Sequence, residues 1–483
     1  MFKLLLIWRY FLHKRVALLA VLAVTLVVLL VLVVLSVMSG LLEDVRQRNH
    51  GWVGDVVIAH NSLVGFGYYD EFLEVLAQKR QIAAATAVIS TYGLVDRVGL
   101  AVQVFGVSMD EWCAVTDFAG TLHYQRAGQK PSFSVPGNEF LEGMGRGLTA
   151  EQSRRGCIAG LYLTSQLFTG ALSKAELERV RQLGLDPIYH IDLGITVLGL
   201  SRQGTLTGSG IGEHQVFWYV DDSESRLVDV DMSALYVDFG ELQKLCYLDG
   251  SDGGPKRAHE IRIKLKEGVG LERGRALIRG WWGEFVQRKE GTAADELLTE
   301  AKVQTWKEYR RGSIAPMERE KSLMVLVFLM IAAVAVFIVL AIFYMIVAEK
   351  IKDLGIIKSV GGSSWSVSQV FLGYGLLVGL LGAGLGLLGG SLIVTHSNEI
   401  EALINDILVG CNNLMSGWDW HYQFGSFHLW DPEVYAIERI PDVVHYPEAG
   451  LIALAAVAAS VLGAVLPALR AGRFQVVEAL RVE

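Results

Sequence analysis

The sequence predicts a polytopic α-helical membrane protein with four transmembrane helices and a large α+β extracytoplasmic domain between the first and second. Three observations lead there. Hydrophobic residues make up 52% of the chain and charged residues only 19%, and mean hydropathy is +0.37, more apolar than ordinary soluble proteins. Four runs without Asp, Glu, Lys or Arg each exceed the roughly 20 helical residues that cross a hydrocarbon core about 30 Å thick. Residues 39–321, between the first two runs, mix strand-like and helix-like patterns and are long enough for their own core, in one or two subdomains.

The first run, Val16–Met38, is almost pure Val, Leu and Ala. A secretory leader has an apolar region of about 7–15 residues followed by a small-residue cleavage site. This run is longer and no A-x-A follows, so it reads as an uncleaved anchor. Leu323–Val347, the Gly-rich Val367–Thr395 and Ala449–Leu469 are the other three. A mid-membrane charge costs on the order of 3 kcal/mol even on a mild insertion scale, which is why charge-free runs of this length are informative.

Orientation follows from the basic residues that flank the spans. Lys3, Arg9, Lys14 and Arg15 precede the first span. Lys350, Lys352 and Lys358 lie after the second, and Arg470, Arg473 and Arg481 after the fourth. Residues 396–448 are acidic, with Arg439 as their one Lys or Arg. The expected plan is a cytoplasmic N-terminus (1–15), helix one (16–38), an outward domain (39–321) and helix two (322–348). A cytoplasmic loop (349–366), helix three (367–395), an outward loop (396–448), helix four (449–469) and a cytoplasmic tail (470–483) complete it. The expected location is the cytoplasmic (inner) membrane, in contact with its lipids.

Within 39–321, strand signals fall at Asp55–Ala59, Leu94–Val107, Ile195–Leu200, Val216–Val220, Leu235–Phe239 and Ile261–Leu265. The last alternates Ile261, Ile263 and Leu265 on one face with Arg262 and Lys264 on the other. Helical signals fall at Tyr69–Gln78, Ser173–Leu183, Glu241–Leu248 and Leu271–Gln287. The Gly- and Ser-rich stretch Ser201–Gln215 reads either as a protruding partner-binding loop or as a long hairpin connection. Cys113, Cys157, Cys246 and Cys411 fit no metal spacing, and both disulfides and buried thiols stay open.

Several chemistries are missing from the sequence. No G-x-x-x-x-G-K-[ST] phosphate loop occurs, so ATP binding by that route is excluded for this chain. No H-E-x-x-H, G-x-S-x-G or paired C-x-x-C occurs, and no enzymatic activity is expected. The eleven His residues are scattered; His214 and His396 read as surface or capping residues. With a net charge of −8 and no basic block, nucleic-acid binding is not expected. No span carries an ionisable relay of the kind secondary transporters use, so energy must come from another chain.

The 349–366 loop is the most informative short stretch. Ile351, Leu354, Ile357 and Val360 recur along nearly one helical face, with lysines opposite. Gly361 and Gly362 suit the left-handed conformation that ends a helix, and Ser366 with Gln369 fits a capping box for the next span. The amphipathic helix this implies suits a groove on a cytoplasmic partner or the lipid headgroups. In the third span Gly375 and Gly379 are four apart, as are Gly382, Gly386 and Gly390. That spacing allows close helix approach, read here as packing within the chain.

These segments resemble the lipoprotein-release permeases of the LolC/LolE family. The resemblance runs from Trp306 through the second span, into EKIKDLGIIKSVGGS (Glu349–Ser363) and the Gly-rich third span. It continues in DPEVYAIERIPDVVHYPE (Asp431–Glu448) and PALRAGRFQVVEALRVE (Pro467–Glu483). WRYFLHKRVALLAVLAV and SVMSGLLEDV near the start, CIAGLYLTSQL (Cys157–Leu167) and LYVDFGELQKL (Leu235–Leu245) are also similar. The wider group includes FtsX-like and MacB-like permeases.

The resemblance implies a periplasmic, MacB-like core domain over 39–321. It implies pairing with a second permease subunit, as homo- or heterodimer, and with a LolD-like P-loop ABC ATPase. No cofactor is expected on this chain, ATP being bound by that partner. The coupling contact to the ATPase would fall on Glu349, Lys350, Lys352, Asp353, Leu354, Ile357, Lys358, Gly361 and Ser363. Lipoprotein cargo would leave the inner membrane toward a periplasmic chaperone, and Arg202, Gln203, Thr205 and Leu206 would form the chaperone-binding loop. An FtsX-type regulator or a MacB-like export permease is the alternative. Two departures stand out. Extra residues around Cys411–Phe427 are dense in aromatics (Trp418, Trp420, Tyr422, Phe424, Phe427), read as an interfacial belt. VFWYVDDSE replaces the family's V-x-G strand end after the chaperone loop.

Overall fold

The computed structural model describes residues 15–60, 62–96, 99–123, 125, 130–134, 155–168, 192–200, 205, 212–251, 253–289, 296–349, 358, 359, 361, 363–416 and 443–473. The predicted helix Ser173–Leu183 lies outside them. The chain forms two compact units. One is Val45–Ile314; the other combines the residues before it with those from Ala315 onward. Helix α1 (Arg15–Val53) begins in the second of these and ends in the first.

The unit Val45–Ile314 is built on one sheet. Its elements are β1 (Val56–Ala59), β2 (Phe66–Gly67), α2 (Tyr69–Ala77), β3 (Ile82–Val95), β4 (Leu100–Val107) and α3 (Met109–Val115). These lead into β5 (Gly156–Gly160), α4 (Leu161–Phe168), β6 (Asp192–Val197) and β7 (Glu213–Ser223). The unit finishes with β8 (Ala234–Asp238), α5 (Phe239–Leu245), β9 (Arg257–Ala258), β10 (Glu260–Leu265), α6 (Leu271–Lys289) and β11 (Lys302–Thr305). The strand order is β11-β1-β10-β3-β4-β8-β5-β7-β6, with β2 and β9 as a separate pair.

Strand β3 organises the unit. Its first half pairs β10 and its second half pairs β4. Its last residues, Gly93–Val95, also pair Ile195–Val197 of β6. The strands β3-β4-β8-β5-β7-β6 therefore close into a ring. Closure needs a tight corner, where glycine is the usual residue. A Cβ on Gly93 would sit 3.0 Å from both Ile195 Cγ2 and Val104 Cγ2.

Two apolar cores flank β3. One packs α2 and α6 on β1, β10 and β3, around Phe66, Phe72, Trp282 and Phe285; Phe72 meets Trp282 edge-on at 4.8 Å. The other fills the ring with Val104, Ile195, Phe217, Tyr219, Leu235 and Val237, backed by Leu163 of α4 and Leu242 of α5. Cys157 and Cys246 lie unpaired in this second core. All four cysteines are free thiols: Cys113 is half-buried and Cys411 exposed.

The face of β10 opposite Ile261 and Ile263 is not a solvent face. Arg262 there is fully buried. Its Nε donates to Glu260 Oε2 at 2.9 Å and its Nη1 to the Trp52 carbonyl at 2.9 Å. The guanidinium lies 4.4 Å from the Trp52 ring centroid, 4.8 Å from Trp112 and 5.6 Å from Tyr309. The Tyr309 hydroxyl donates to the other Glu260 oxygen at 2.5 Å. Burial alone would lower the arginine's pKa; the Glu260 carboxylate more than offsets it, so the side chain stays a cation. Next to it Arg310 donates to Asn49 Oδ1 at 2.6 Å and to Asp229 Oδ2 at 2.7 Å.

A buried carboxylate sets a pH dependence. Asp231 accepts from Ser225 N (3.0 Å), Ser225 Oγ (2.6 Å) and Arg226 N (2.8 Å). Burial outweighs these bonds and pushes its carboxyl from 3.8 up to about 6. The native state then holds a proton that the unfolded chain has released. Stability therefore falls as pH rises between those two values and levels off above them, by about 2–3 kcal/mol in all. Asp231→Asn is expected to flatten that slope when denaturation midpoints are compared across about pH 4–7.

The other unit holds most of α1 and of α7 (Arg311–Glu349), together with α8 (Ser364–Thr395), α9 (Ser397–Ser416) and α10 (Tyr446–Arg473). Among the described residues α1, α7, α8 and α10 are the four helices long and apolar enough to cross a membrane. The helices outrun the apolar runs: α1 continues to Val53 and α7 starts at Arg311. Val24, Val28, Val339, Phe343, Tyr374 and Ala464 form the shared core. At one end Glu448, in the acid-favouring first turn of α10, accepts from Ser39 Oγ at 2.8 Å and pairs with Lys321 at 3.0 Å.

An apolar groove and a glycine face in the helical unit

A groove of about 260 Å³ runs between α1, α7 and α10. Val24, Val28, Val31 and Leu35 line it from α1, Val325, Phe328, Ala332 and Val336 from α7, and Leu451, Ala455 and Ala459 from α10. The space exists because alanines take the positions where α7 and α10 face each other. Ser460 supplies the one hydroxyl of the lining, and that hydroxyl is spent on the Ala456 carbonyl at 3.0 Å. Nothing in the lining can recognise a polar group. Burial of hydrocarbon is what it offers, at roughly 0.8 kcal/mol per CH₂. All four apolar runs are legible in the sequence; that α1, α7 and α10 enclose a groove is not.

Five of the eight glycines of α8, Gly375, Gly379, Gly382, Gly386 and Gly390, are buried and divide between two neighbours. A Cβ on Gly375 would lie 2.7 Å from Ala464 Cβ, and one on Gly379 would lie 3.0 Å from Ser460 Cβ, both on α10. Cβ atoms on Gly382, Gly386 and Gly390 would meet α1 instead, at Val24 Cβ (2.7 Å), Val28 Cβ (2.6 Å) and Leu32 Cδ2 (2.9 Å). The glycine face thus seats α8 against α10 at its start and against α1 further along. Small residues permit this approach, and dispersion between close backbones rewards it.

Of the proposed coupling residues, Lys350, Lys352, Asp353, Leu354 and Ile357 lie outside the described residues. Glu349 is the exposed last residue of α7. Lys358 Nζ donates to the Gly472 carbonyl at 2.6 Å, a cation at the C-terminal end of α10 where the helix dipole favours one. Gly361 takes φ +98 in the turn that follows. Ser363 is the N-cap of α8, its hydroxyl accepting from Ser366 N at 3.2 Å. This corrects the expected Ser366–Gln369 box. The extended backbone at Ser363 (φ −69, ψ 152) supplies the cap one turn earlier, and Ser366 lies inside the helix.

Arg202, Gln203 and Leu206 also lie outside the described residues; Thr205 is exposed. The strands that flank them pair antiparallel, Thr196 with His214 and Val197 with Glu213, so the stretch connects a hairpin. His214 pairs with Asp96 at 2.8 Å on the surface, and His396 is the C-cap of α8. No cluster of His, Cys, Asp or Glu able to hold a metal ion occurs among the described residues.

Residues 325–420, which cover most of α7, α8 and α9, match the FtsX-like permease C-terminal family. LolC of Xylella fastidiosa (strain Temecula1), a lipoprotein-releasing system transmembrane protein, is 24% identical over 296 residues, 61% of this chain and 62% of that protein. The chain resembles the LolC/LolE permeases. LolC of Neisseria meningitidis serogroup B is 24% identical over 65% of this chain and 66% of its own, and LolE of Haemophilus influenzae is 24% identical over 33% and 34%. The chain thus spans about 62% of the length of the first LolC relative it matches. Among solved structures, the periplasmic region of MacB from Actinobacillus actinomycetemcomitans aligns with 56% of this chain and 96% of that chain, at 12% identity and a TM-score of 0.26. The extracellular domain of the Gram-positive transporter YknZ aligns at 13% identity and the same TM-score, over 52% and 98%.

Proposed function

We propose that the chain is the non-catalytic permease subunit of an ABC transporter that extracts lipid-anchored proteins from the outer leaflet of the inner membrane. The observation that carries this reading is the groove between α1, α7 and α10, lined by hydrocarbon with no free polar partner. It suits acyl chains and little else. The likeness to lipoprotein-releasing transmembrane proteins supports this cargo class. In this reading α1, α7, α8 and α10 span the membrane with both termini in the cytoplasm, and Val45–Ile314 faces the periplasm. A separate P-loop ATPase grips the loop between α7 and α8, and a second permease subunit completes the transporter. A periplasmic chaperone takes the cargo at the β6–β7 hairpin.

Co-purification of the full chain from native membranes tests this. The wild-type chain is expected to bring down a P-loop ATPase and acylated lipoproteins. Ala332→Trp fills the groove and removes the burial of at least two CH₂ groups, so acylated cargo should drop about tenfold or more while the ATPase stays. Ile357→Asp places a charge on the apolar face of the loop and should release the ATPase. Cargo retention unchanged by Ala332→Trp, or an ATPase recovered with a cell-wall enzyme in place of acylated protein, overturns the reading.

A further inference from the structure

Helix α9 is amphipathic and carries its apolar stripe uncovered. Ile400, Leu403, Ile407 and Cys411 follow one another at spacings of three and four residues, which puts them on one helical face. All four are exposed, Leu403 at 59% and Ile407 at 56%. Asn398, Glu401, Asn405 and Asn412 are half-buried on another face, with the half-buried apolar Ile404 and Leu408 at its border.

The stripe continues a lipid-type face. On α8, Leu385, Leu388 and Leu392 are exposed along one side. After His396, the single non-helical residue (φ −113, ψ 20) between the two helices, Ile400, Leu403 and Ile407 take up the series. At 1.5 Å per residue α8 alone is about 48 Å long, more than a hydrocarbon core of about 30 Å. With Glu399, Glu401 and Asp406 in its sequence, α9 does not belong in the hydrocarbon itself. An uncovered apolar stripe that starts five residues beyond the end of a span fits the interface between headgroups and acyl chains. The residues that follow α9 include Trp418, Trp420, Tyr422, Phe424 and Phe427, the residue types that concentrate at that depth.

We propose that α9 is a monotopic interfacial helix that lays Ile400, Leu403, Ile407 and Cys411 into the outer leaflet beside the third span. The occupant of the stripe is a lipid surface. The acidic polar edge, with no Lys or Arg in α9, means that apolar burial and not attraction to anionic headgroups holds it. Binding should therefore be insensitive to salt. The inference rests on the membrane topology proposed above.

The test uses the full chain in nanodiscs of zwitterionic lipid. Cys113 is replaced by Ser, and an environment-sensitive fluorophore is attached to Cys411, the one exposed thiol of the wild-type chain. Blue-shifted emission, quenching by doxyl lipids and shielding from aqueous iodide, unchanged by salt, are expected. The same label placed at Asp406→Cys in a Cys411→Ser background should be quenched by iodide. Leu388→Cys in that background reports the span: lipid quenching at 388 without lipid quenching at 411 sinks the interfacial helix and leaves the topology standing. Absence of lipid quenching at 388 sinks the topology. Oxidative cross-linking of Leu403→Cys between two copies would show a protein partner on the stripe and would likewise overturn the proposal.

Discussion

Arg262→Leu is expected to destabilise the sheet-bearing unit by about 3–5 kcal/mol, the usual cost of leaving one half of a buried ion pair behind. The reason is what stays. Glu260 is 6% exposed, and without the guanidinium its carboxylate keeps only the Tyr309 hydroxyl. It must then take up a proton or remain an uncompensated buried charge. The rings of Trp52, Trp112 and Tyr309 also lose the cation they surround, a contact of about 2 kcal/mol when desolvated. Urea denaturation of the full chain, followed by tryptophan fluorescence, reads the loss. Glu260→Leu on top of Arg262→Leu should recover a large part of it, because replacing both members with apolar groups removes the stranded charge. A single variant as stable as the wild type would mean that the cation and its aromatic box contribute nothing.

The second large effect is expected on α8. Gly386→Ala places a methyl carbon 2.6 Å from Val28 Cβ and 2.9 Å from the Thr25 carbonyl. Backbone cannot yield as a side-chain tip can, so α1 and α8 must separate, at about 1–3 kcal/mol. Gly384→Ala, one half-turn away, meets nothing within 4 Å and should be neutral or gain up to about 1 kcal/mol from helix propensity. Thermal unfolding of the two variants in the same detergent compares them directly. Equal midpoints would show that the glycine face is not what seats the helices.

The sequence displays the long helices well, because a charge in the bilayer is so costly that the spans stand out against everything else. It displays β10 well too, since Ile261, Ile263 and Leu265 alternate. It misleads about the opposite face of that strand: an arginine in a strand reads as solvent-facing, and only the tertiary structure brings Trp52, Trp112 and Tyr309 around it. Leu94–Val107 reads as one strand but is the end of β3 and all of β4, turned at Gly99 (φ +64). The first part of β3, Ile82–Ala87, is rich in alanine and carries little strand propensity; pairing with β10 makes it a strand. The glycine spacing of α8 was visible, whereas its division between α10 and α1 depends on how three helices meet. Helix α9 was hidden inside what reads as an acidic loop, although its apolar residues keep helical spacing throughout.

The pairing of Gly93–Val95 with Ile195–Val197 bears on how the unit is made. About a hundred residues separate the two partners, and contacts that distant form slowly because loop-closure entropy must be overcome first. Until β6 arrives, the end of β3 presents open backbone donors and acceptors, an invitation to intermolecular strand pairing. A nascent chain emerging N-terminus first therefore passes through an interval in which the ring is incomplete, and holding factors would have most to do in that interval. Once the last strand docks, all six seams of the ring are paired. Among the described residues the finished ring leaves β11 at an edge of the sheet, a four-residue strand that carries Lys302.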